Sequence, residues 1–295
     1  MTGDSTLVRR KRLLGLLGQN RTIGLEASGG YGKTTFALQA AAESGAVAVR
    51  ISVPEGPEAA LFMAEARRSF AAVSISHSTI ERAADTTTLA EAIATVLSSI
   101  AVATVVIIDE VQRAGDDIIS FANVLAGRLA PPHRLIVAGR RLPVEMRAIV
   151  SLRITESELA FDHHEILGLV VGRGVALDDA QARELGIAVE GWPAAAVMAV
   201  TIWGQRAAAL IGSAPSHHAL MNILVDAVLE PLDPVTRQDV ATVGTLPLVS
   251  AAVVERLCGD GAWARLRASG LPIATVDPIG ETWWRVPDPV RDVLR

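Results

Sequence analysis

The sequence predicts an α/β domain built on a parallel sheet, then a helical domain, then a small C-terminal winged-helix domain. Three observations carry this. Short runs that are apolar on both faces alternate with helical stretches through the first half, the pattern of a parallel sheet covered on both sides. Strand-like runs largely stop after Phe161. The last stretch, Asp233 to Arg295, reads as two or three helices followed by two short strand-like runs across a turn.

In chain order, the first strand is "TIGLEA", Thr22 to Ala27, and a glycine-rich loop follows it. "TTFALQAAAESG" continues as a helix ending near Gly45, where glycine stops it. "AVAVRISV" is the next strand, broken afterwards by Pro54 and Gly56. Helices are expected around Ala59 to Phe70 and Leu89 to Ser99, and "ATVVIIDE" and "HRLIVAGR" are two further apolar runs bounded by polar residues. Beyond Phe161 the helical stretches are His163 to Val171, Asp178 to Val189, Pro193 to Leu210 and His217 to Leu229. "LPIATVD" and "ETWWRV", joined at Pro278-Ile279-Gly280, form the expected wing. No internal repeat or low-complexity linker interrupts the chain.

Composition narrows the function classes. A chain of 295 residues with 50% hydrophobic content has ample core material for about two domains. The formal charge of -5 gives the molecule no overall pull toward nucleic acid or anionic lipid. The apolar runs Ile100 to Ile108 and Trp192 to Trp203 fall short of the ~18–20 residues that span a bilayer. "LVRRKRLLGLL" lacks the apolar core of a signal peptide, and the one cysteine, Cys258, is expected to be a small buried residue, so a cytoplasmic location is expected.

The chemistry concentrates in "ASGGYGKTT", Ala27-Ser28-Gly29-Gly30-Tyr31-Gly32-Lys33-Thr34-Thr35. It fits the Walker A pattern [AG]-x4-G-K-[ST], in which successive backbone N–H groups turn inward toward phosphate. The residues must therefore be small or tolerate unusual dihedrals. A helix starting at Lys33-Thr34 aims its positive dipole end at the same anion. Lys33 is expected to reach the β and γ phosphates, and the Thr34 hydroxyl to ligate Mg2+. A strand before the loop and a helix after it make the match more than a glycine turn.

"VVIIDE", Val105 to Glu110, supplies the acids. A buried strand delivers Asp109 to the carboxyl edge of the sheet, expected beside the loop after the first strand, where Asp109 holds Mg2+ through water. Glu110 is the candidate to orient or deprotonate an attacking water. In "LIVAGRRLP", Arg140 is the candidate sensor of the γ-phosphate, with Arg141 as the neighbouring alternative. His163-His164 and His217-His218 lack partners at metal-ligand spacing and are expected on helix surfaces. Arg9-Arg10-Lys11-Arg12 reads as the exposed face of a leading helix.

Together with "ITESELAFDHHEI" and "EGWPAA", these motifs resemble, in order and spacing, the MalT-like STAND (signal-transduction) P-loop ATPases of bacterial LuxR/MalT-type transcription regulators. The resemblance runs from Leu7 to Arg295. It implies a P-loop NTPase domain over 1–160, a helical domain over 161–230 and a winged-helix domain over 231–295, with ATP or ADP and Mg2+ held among them. It also implies that Pro193 packs against the adenine or ribose, that Arg10 and Arg12 border the adenine pocket, and that Arg140 senses phosphate. Gly139 stands where that family usually has serine. Pro287 in "WWRVPDPVRDVLR" stands where it has a phosphate-touching histidine, and Arg285 or Arg291 is the substitute. Such regulators usually continue into sensor and DNA-binding modules, so this chain is expected to be an excised core or to work with separate protein partners. The acidic charge argues against direct DNA binding.

The expected function is a regulatory ATP/ADP switch with slow hydrolysis. The alternatives are a non-catalytic, nucleotide-stabilised interaction module and, with less support, a small-molecule kinase.

Overall fold

The computed structural model describes residues 7–54, 59–202, 232–269, 273–276 and 283–286, together with 222, 225–226, 229–230, 291 and 293–294. The described chain divides into two compact units, Arg10–Ser28 with Gly32–Leu159, and Met1–Arg9 with Gly29–Tyr31 and Ala160–Arg295.

The first unit is a five-stranded parallel sheet in the order β2-β3-β4-β1-β5. Its strands are β1 (Thr22–Glu26), β2 (Val47–Ser52), β3 (Thr104–Asp109), β4 (Arg134–Gly139) and β5 (Leu152–Thr155). Its helices are α1 (Lys11–Leu17), α2 (Lys33–Glu43), α3 (Ala59–Ala72), α4 (Ser78–Arg82), α5 (Thr86–Ser98), α6 (Asp116–Arg128), α7 (Val144–Ile149) and α8 (Glu156–Leu159). All six residues of β3 are buried, and successive side chains point to opposite faces, so both faces of the sheet are covered. Val106, Ile108 and Val137 continue into a core with Phe62, Phe70, Ile93 and Phe121. Phe62 and Phe121 meet edge to face at 5.0 Å between ring centroids. Asp85 and Thr88 form a capping box that starts α5.

Gly24 keeps the middle of β1 bare for a reason of space. A Cβ there would lie 2.8 Å from Leu142 Cδ1 and 3.2 Å from Val150 Cγ1. β5 is a strand that the sequence reading does not anticipate; it adds to the free side of β1 with Leu25 opposite Ile154. β4 lies between β1 and β3, so the strand that carries the glycine loop and the strand that carries Asp109 are not sheet neighbours.

The second unit contains α9 (His163–Gly172), α10 (Asp179–Ala188), α11 (Pro193–Ile202), α12 (Pro234–Gly244), α13 (Ala251–Cys258) and α14 (Ala262–Ala268). Capping boxes begin α9 at Asp162 and α10 at Asp178, and Asp233 with Pro234 at the first helical position begins α12. A three-stranded antiparallel sheet, β6-β8-β7, joins β6 (Val249–Ser250), β8 (Trp283–Arg285) and β7 (Ala274–Val276). Trp284 packs on Trp263 of α14, ring centroids 4.2 Å apart. Arg265 of α14 donates to the buried Asp239 of α12 at 2.8 Å.

Several expectations fall outside the described residues: the helical stretch beyond Ile202, His217-His218, the Pro278 turn and Pro287. Two others are corrected. Cys258 is half-buried rather than buried, its thiol pushed up by burial and then by Asp239. In the basic tetrad Arg9, Lys11 and Arg12 are exposed, but Arg10 is buried. Among the described residues no helix is long and apolar enough to cross a membrane.

Candidate functional site

Register brings the carboxyl ends of the strands to one edge. Ser52 lies opposite Asp109, Asp109 opposite Ala138, Gly139 opposite Glu26 and Glu26 opposite Thr155. In an open parallel sheet this is the edge where ligands bind. The glycine loop leaves β1 here, and Ala27 N still donates to Gly139 O at 3.2 Å.

The loop then turns into α2. Gly30 and Gly32 have φ of 81° and 74°, the left-handed region that favours glycine. Gly32 is the N-cap of α2, and no side chain caps that helix. The first N–H groups of an 11-residue helix are thus left for an acceptor other than a capping side chain. Lys33 folds back on the loop, its Nζ donating to Ala27 O at 2.6 Å and to Ser28 O at 2.8 Å. Ser28 N donates to the Glu156 carboxylate at 2.6 Å. The tip, Gly29–Tyr31, groups with the second unit. There Trp192 Nε1 donates to Gly29 O at 3.1 Å, Ala194 N donates to Gly30 O at 3.0 Å, and Tyr31 is buried.

α2 carries Thr34 across the end of β4 to β3. Thr34 Oγ1 donates to Asp109 Oδ2 at 2.7 Å, joining the two residues expected to hold Mg2+. Asp109 is 1% exposed and is engaged on both oxygens. Oδ1 accepts from Glu110 N at 3.0 Å, while Oδ2 also accepts from Arg50 Nε at 3.1 Å and Nη2 at 2.8 Å. A hydroxyl and a carboxylate are hard oxygen donors of the kind Mg2+ takes, so this pair fits that ion.

Glu110 has φ of 62°, an uncommon left-handed conformation for a non-glycine residue. Its Oε2 accepts from Gln112 Nε2 at 2.6 Å and lies 4.0 Å from Arg113 Nη2. The other end of the same amide reaches β4: Gln112 Oε1 accepts from Arg140 N at 2.9 Å. One side chain therefore links the candidate base to the backbone of the candidate sensor. The side chains of Arg140 and Arg141 are both exposed.

Of the remaining expected residues, Arg10 donates from Nη2 to Leu159 O at 2.7 Å, and its backbone N–H donates to Gln39 at 2.8 Å. Arg12 Nη2 donates to Glu158 O at 2.7 Å. Pro193 opens α11, next to Trp192. His163 pairs with Asp179 at 2.8 Å, and no group of three or more His, Cys, Asp or Glu suited to a metal occurs among the described residues. The site residues missed by sequence reasoning are Arg50, Gln112, Glu156 and Trp192. Arg50 had a signal, as the only charge in an otherwise apolar strand.

No protein-family model matches this sequence, and no curated protein matches it. Among solved structures, the chain is similar to a Signal Transduction ATPase with Numerous Domains (STAND) protein with a tetratricopeptide repeat sensor from Pyrococcus horikoshii. The TM-score is 0.68 at 16% identity, over 98% of this chain and 42% of that one. The chain is thus less than half the length of that protein. It is also similar to a Walker-type ATPase of Pyrococcus abyssi, with a TM-score of 0.51 at 13% identity, over 97% of this chain and 94% of that one. The chain has the fold of P-loop ATPases.

Proposed function

We propose that this chain is a regulatory switch that binds ATP or ADP with Mg2+ and hydrolyses ATP slowly. The observation that carries the reading is the Thr34–Asp109 contact at 2.7 Å, which unites the two sequence motifs at the carboxyl edge of the sheet. Phosphate enters at the uncapped end of α2, and Lys33 leaves the carbonyls of Ala27 and Ser28 for phosphate oxygens. Residues 27–35 cradle the phosphates through backbone N–H groups. Thr34 and Asp109 hold Mg2+, which neutralises developing phosphate charge. Glu110 orients or deprotonates water once Gln112 releases it, and Arg140, with Arg141 as alternative, senses the γ-phosphate. Arg10 and Arg12 border the adenine.

Slow turnover suits a switch: unassisted P-loop switches run at roughly 10^-4 to 10^-2 per second. In this reading the end of the chain is a winged helix, and the domains divide at 1–160, 161–230 and 231–295. The STAND neighbour has a repeat sensor, and a sensor or DNA-binding module outside this chain would make it the core of a signal-responsive transcription regulator. The likeness to that neighbour and the "GYGKTT" and "GWP" motifs support this finer assignment.

The test is the nucleotide content and turnover of purified protein. Bound ADP or ATP, or micromolar affinity for either, is expected, and no detectable affinity refutes the proposal. A second reading, a non-catalytic nucleotide-stabilised interaction module, is favoured by Glu110 being held by Gln112 and Asp109 by Arg50. Glu110→Gln separates the two: a hydrolase loses turnover and keeps ATP, whereas a scaffold is indifferent.

A further inference from the structure

Asp109 is buried and carries a counter-charge already. Arg50 lies on β2 opposite Ile107 of β3, two residues short of Asp109 on the same face, and its guanidinium puts two N–H groups on the single oxygen Oδ2. That oxygen is also the one that accepts the Thr34 hydroxyl. The side chain of Arg50 is 17% exposed and that of Asp109 1%. An ionised carboxylate this deep needs a cation beside it, because desolvation otherwise outweighs its charge. In P-loop chemistry a divalent ion supplies that charge. Here the chain supplies it from within, at the oxygen that accepts the Thr34 hydroxyl.

Resting on the nucleotide-binding reading above, we infer that Arg50 is an internal counter-cation that competes with Mg2+ for Asp109. Arg50 keeps the Thr34–Asp109 pair assembled without metal, so nucleotide binding depends only weakly on Mg2+. Metal is admitted only as Arg50 gives up Oδ2. An arginine serving merely as a strut between β2 and β3 would leave the coupling between metal and nucleotide unchanged when it is removed. A competitor would not.

The experiment measures binding of a fluorescent ADP analogue to the full chain in EDTA and in millimolar Mg2+, for wild type, Arg50→Gln and Asp109→Asn. Wild type is expected to bind with dissociation constants within about threefold of each other in the two conditions, the coupling being the ratio. In Arg50→Gln that ratio is expected to widen by at least ~10-fold in favour of Mg2+, since a unit charge beside the metal site is removed. Asp109→Asn is expected to abolish the ratio. Should Arg50→Gln be poorly folded in EDTA, Mg2+ with ADP must raise its melting temperature more than that of wild type. An unchanged ratio in Arg50→Gln, or no such rescue, overturns the competition and leaves the nucleotide reading standing. Absence of binding to wild type in both conditions overturns that reading and the competition with it.

Discussion

Gly139 closes β4 beneath the site, and placing a methyl group there tests the packing of the Gln112 bridge. A Cβ on Gly139 would lie 2.8 Å from Gln112 Oε1, 2.9 Å from Val111 Cγ2 and 3.2 Å from Gln112 N. Optimal carbon contacts fall at ~3.5–4.0 Å, so all three approaches are too close. The amide oxygen can swing away, but only by giving up its bond from Arg140 N. Val111 is fully buried and β-branched, and the Gln112 nitrogen is backbone, so neither moves cheaply. Overpacking of this kind costs ~1–3 kcal/mol. For a unit of this size that lowers the melting temperature of Gly139→Ala by about 2–10 °C. Adding Gln112→Ala removes one of the three close atoms, so the double variant should be less destabilised than the sum of the singles by ~0.5 kcal/mol or more. Thermal and urea unfolding of the four proteins measures both quantities. A Gly139→Ala protein as stable as wild type, or strictly additive costs, would refute the reasoning and leave room for the serine usual in the resembling regulators.

Two further predictions concern other parts of the chain. Trp192→Phe keeps an aromatic ring and deletes the donor to Gly29 O. It should cost ~0.5–1.5 kcal/mol and speed hydrogen exchange in peptides covering Gly29–Tyr31, and unchanged exchange there would show that the indole N–H does not hold the loop tip. His133 is buried at the start of β4, and burial holds its imidazole below the ordinary value of 6.5. A lowered folded value means that the stability it contributes is whole above ~6.5 and is lost as pH falls through the folded value. Urea midpoints should drop between pH 7 and 5 in wild type and less steeply in His133→Asn; equal slopes would count against it. Glu158, held below the usual carboxylate range first by the Thr155 hydroxyl, acts in a lower window, below its ordinary 4.5.

Much of the sheet was legible because β1 to β4 are β-rich apolar runs with breakers at their ends, and because a lysine entering a helix after such a run carries a chemical meaning. β5 was not legible for a physical reason. It has four residues, of which one, Ile154, is buried, so no periodicity can develop. Strand order is likewise absent from chain order. Nothing local in "HRLIVAGR" says that it inserts between the glycine-loop strand and the acid strand, yet that insertion puts Gly139 opposite Glu26, where its carbonyl accepts from Ala27 N. The helix caps at Asp85, Asp162, Asp178 and Asp233 were written in the sequence as acids three residues ahead of side chains or amides they serve, and they set boundaries that apolar patterning leaves loose.

The site shows where a residue-by-residue reading ends and a pairwise one begins. Lys33, Thr34 and Asp109 each belong to a motif, and a motif names its members without their counter-charges. Arg50 belongs to none. It is the one charge within "AVAVRISV", and a guanidinium inside a covered parallel sheet has to meet an anion. Strands in a parallel sheet advance ~3.3 Å per residue and stand ~4.8 Å apart. An arginine can therefore reach a neighbouring strand's residue two positions further along on the same face. Two of the apolar strands end in acids, β1 at Glu26 and β3 at Asp109, and Glu26 is met by Arg147, which leaves the end of "VVIIDE" as the place for Arg50. The register of Ser52 opposite Asp109 is the geometry that such a pair requires. The same logic explains why the ion pair lies at the carboxyl edge: deeper in β3 every residue from Val105 to Ile108 is aliphatic and buried, and offers a charge no partner.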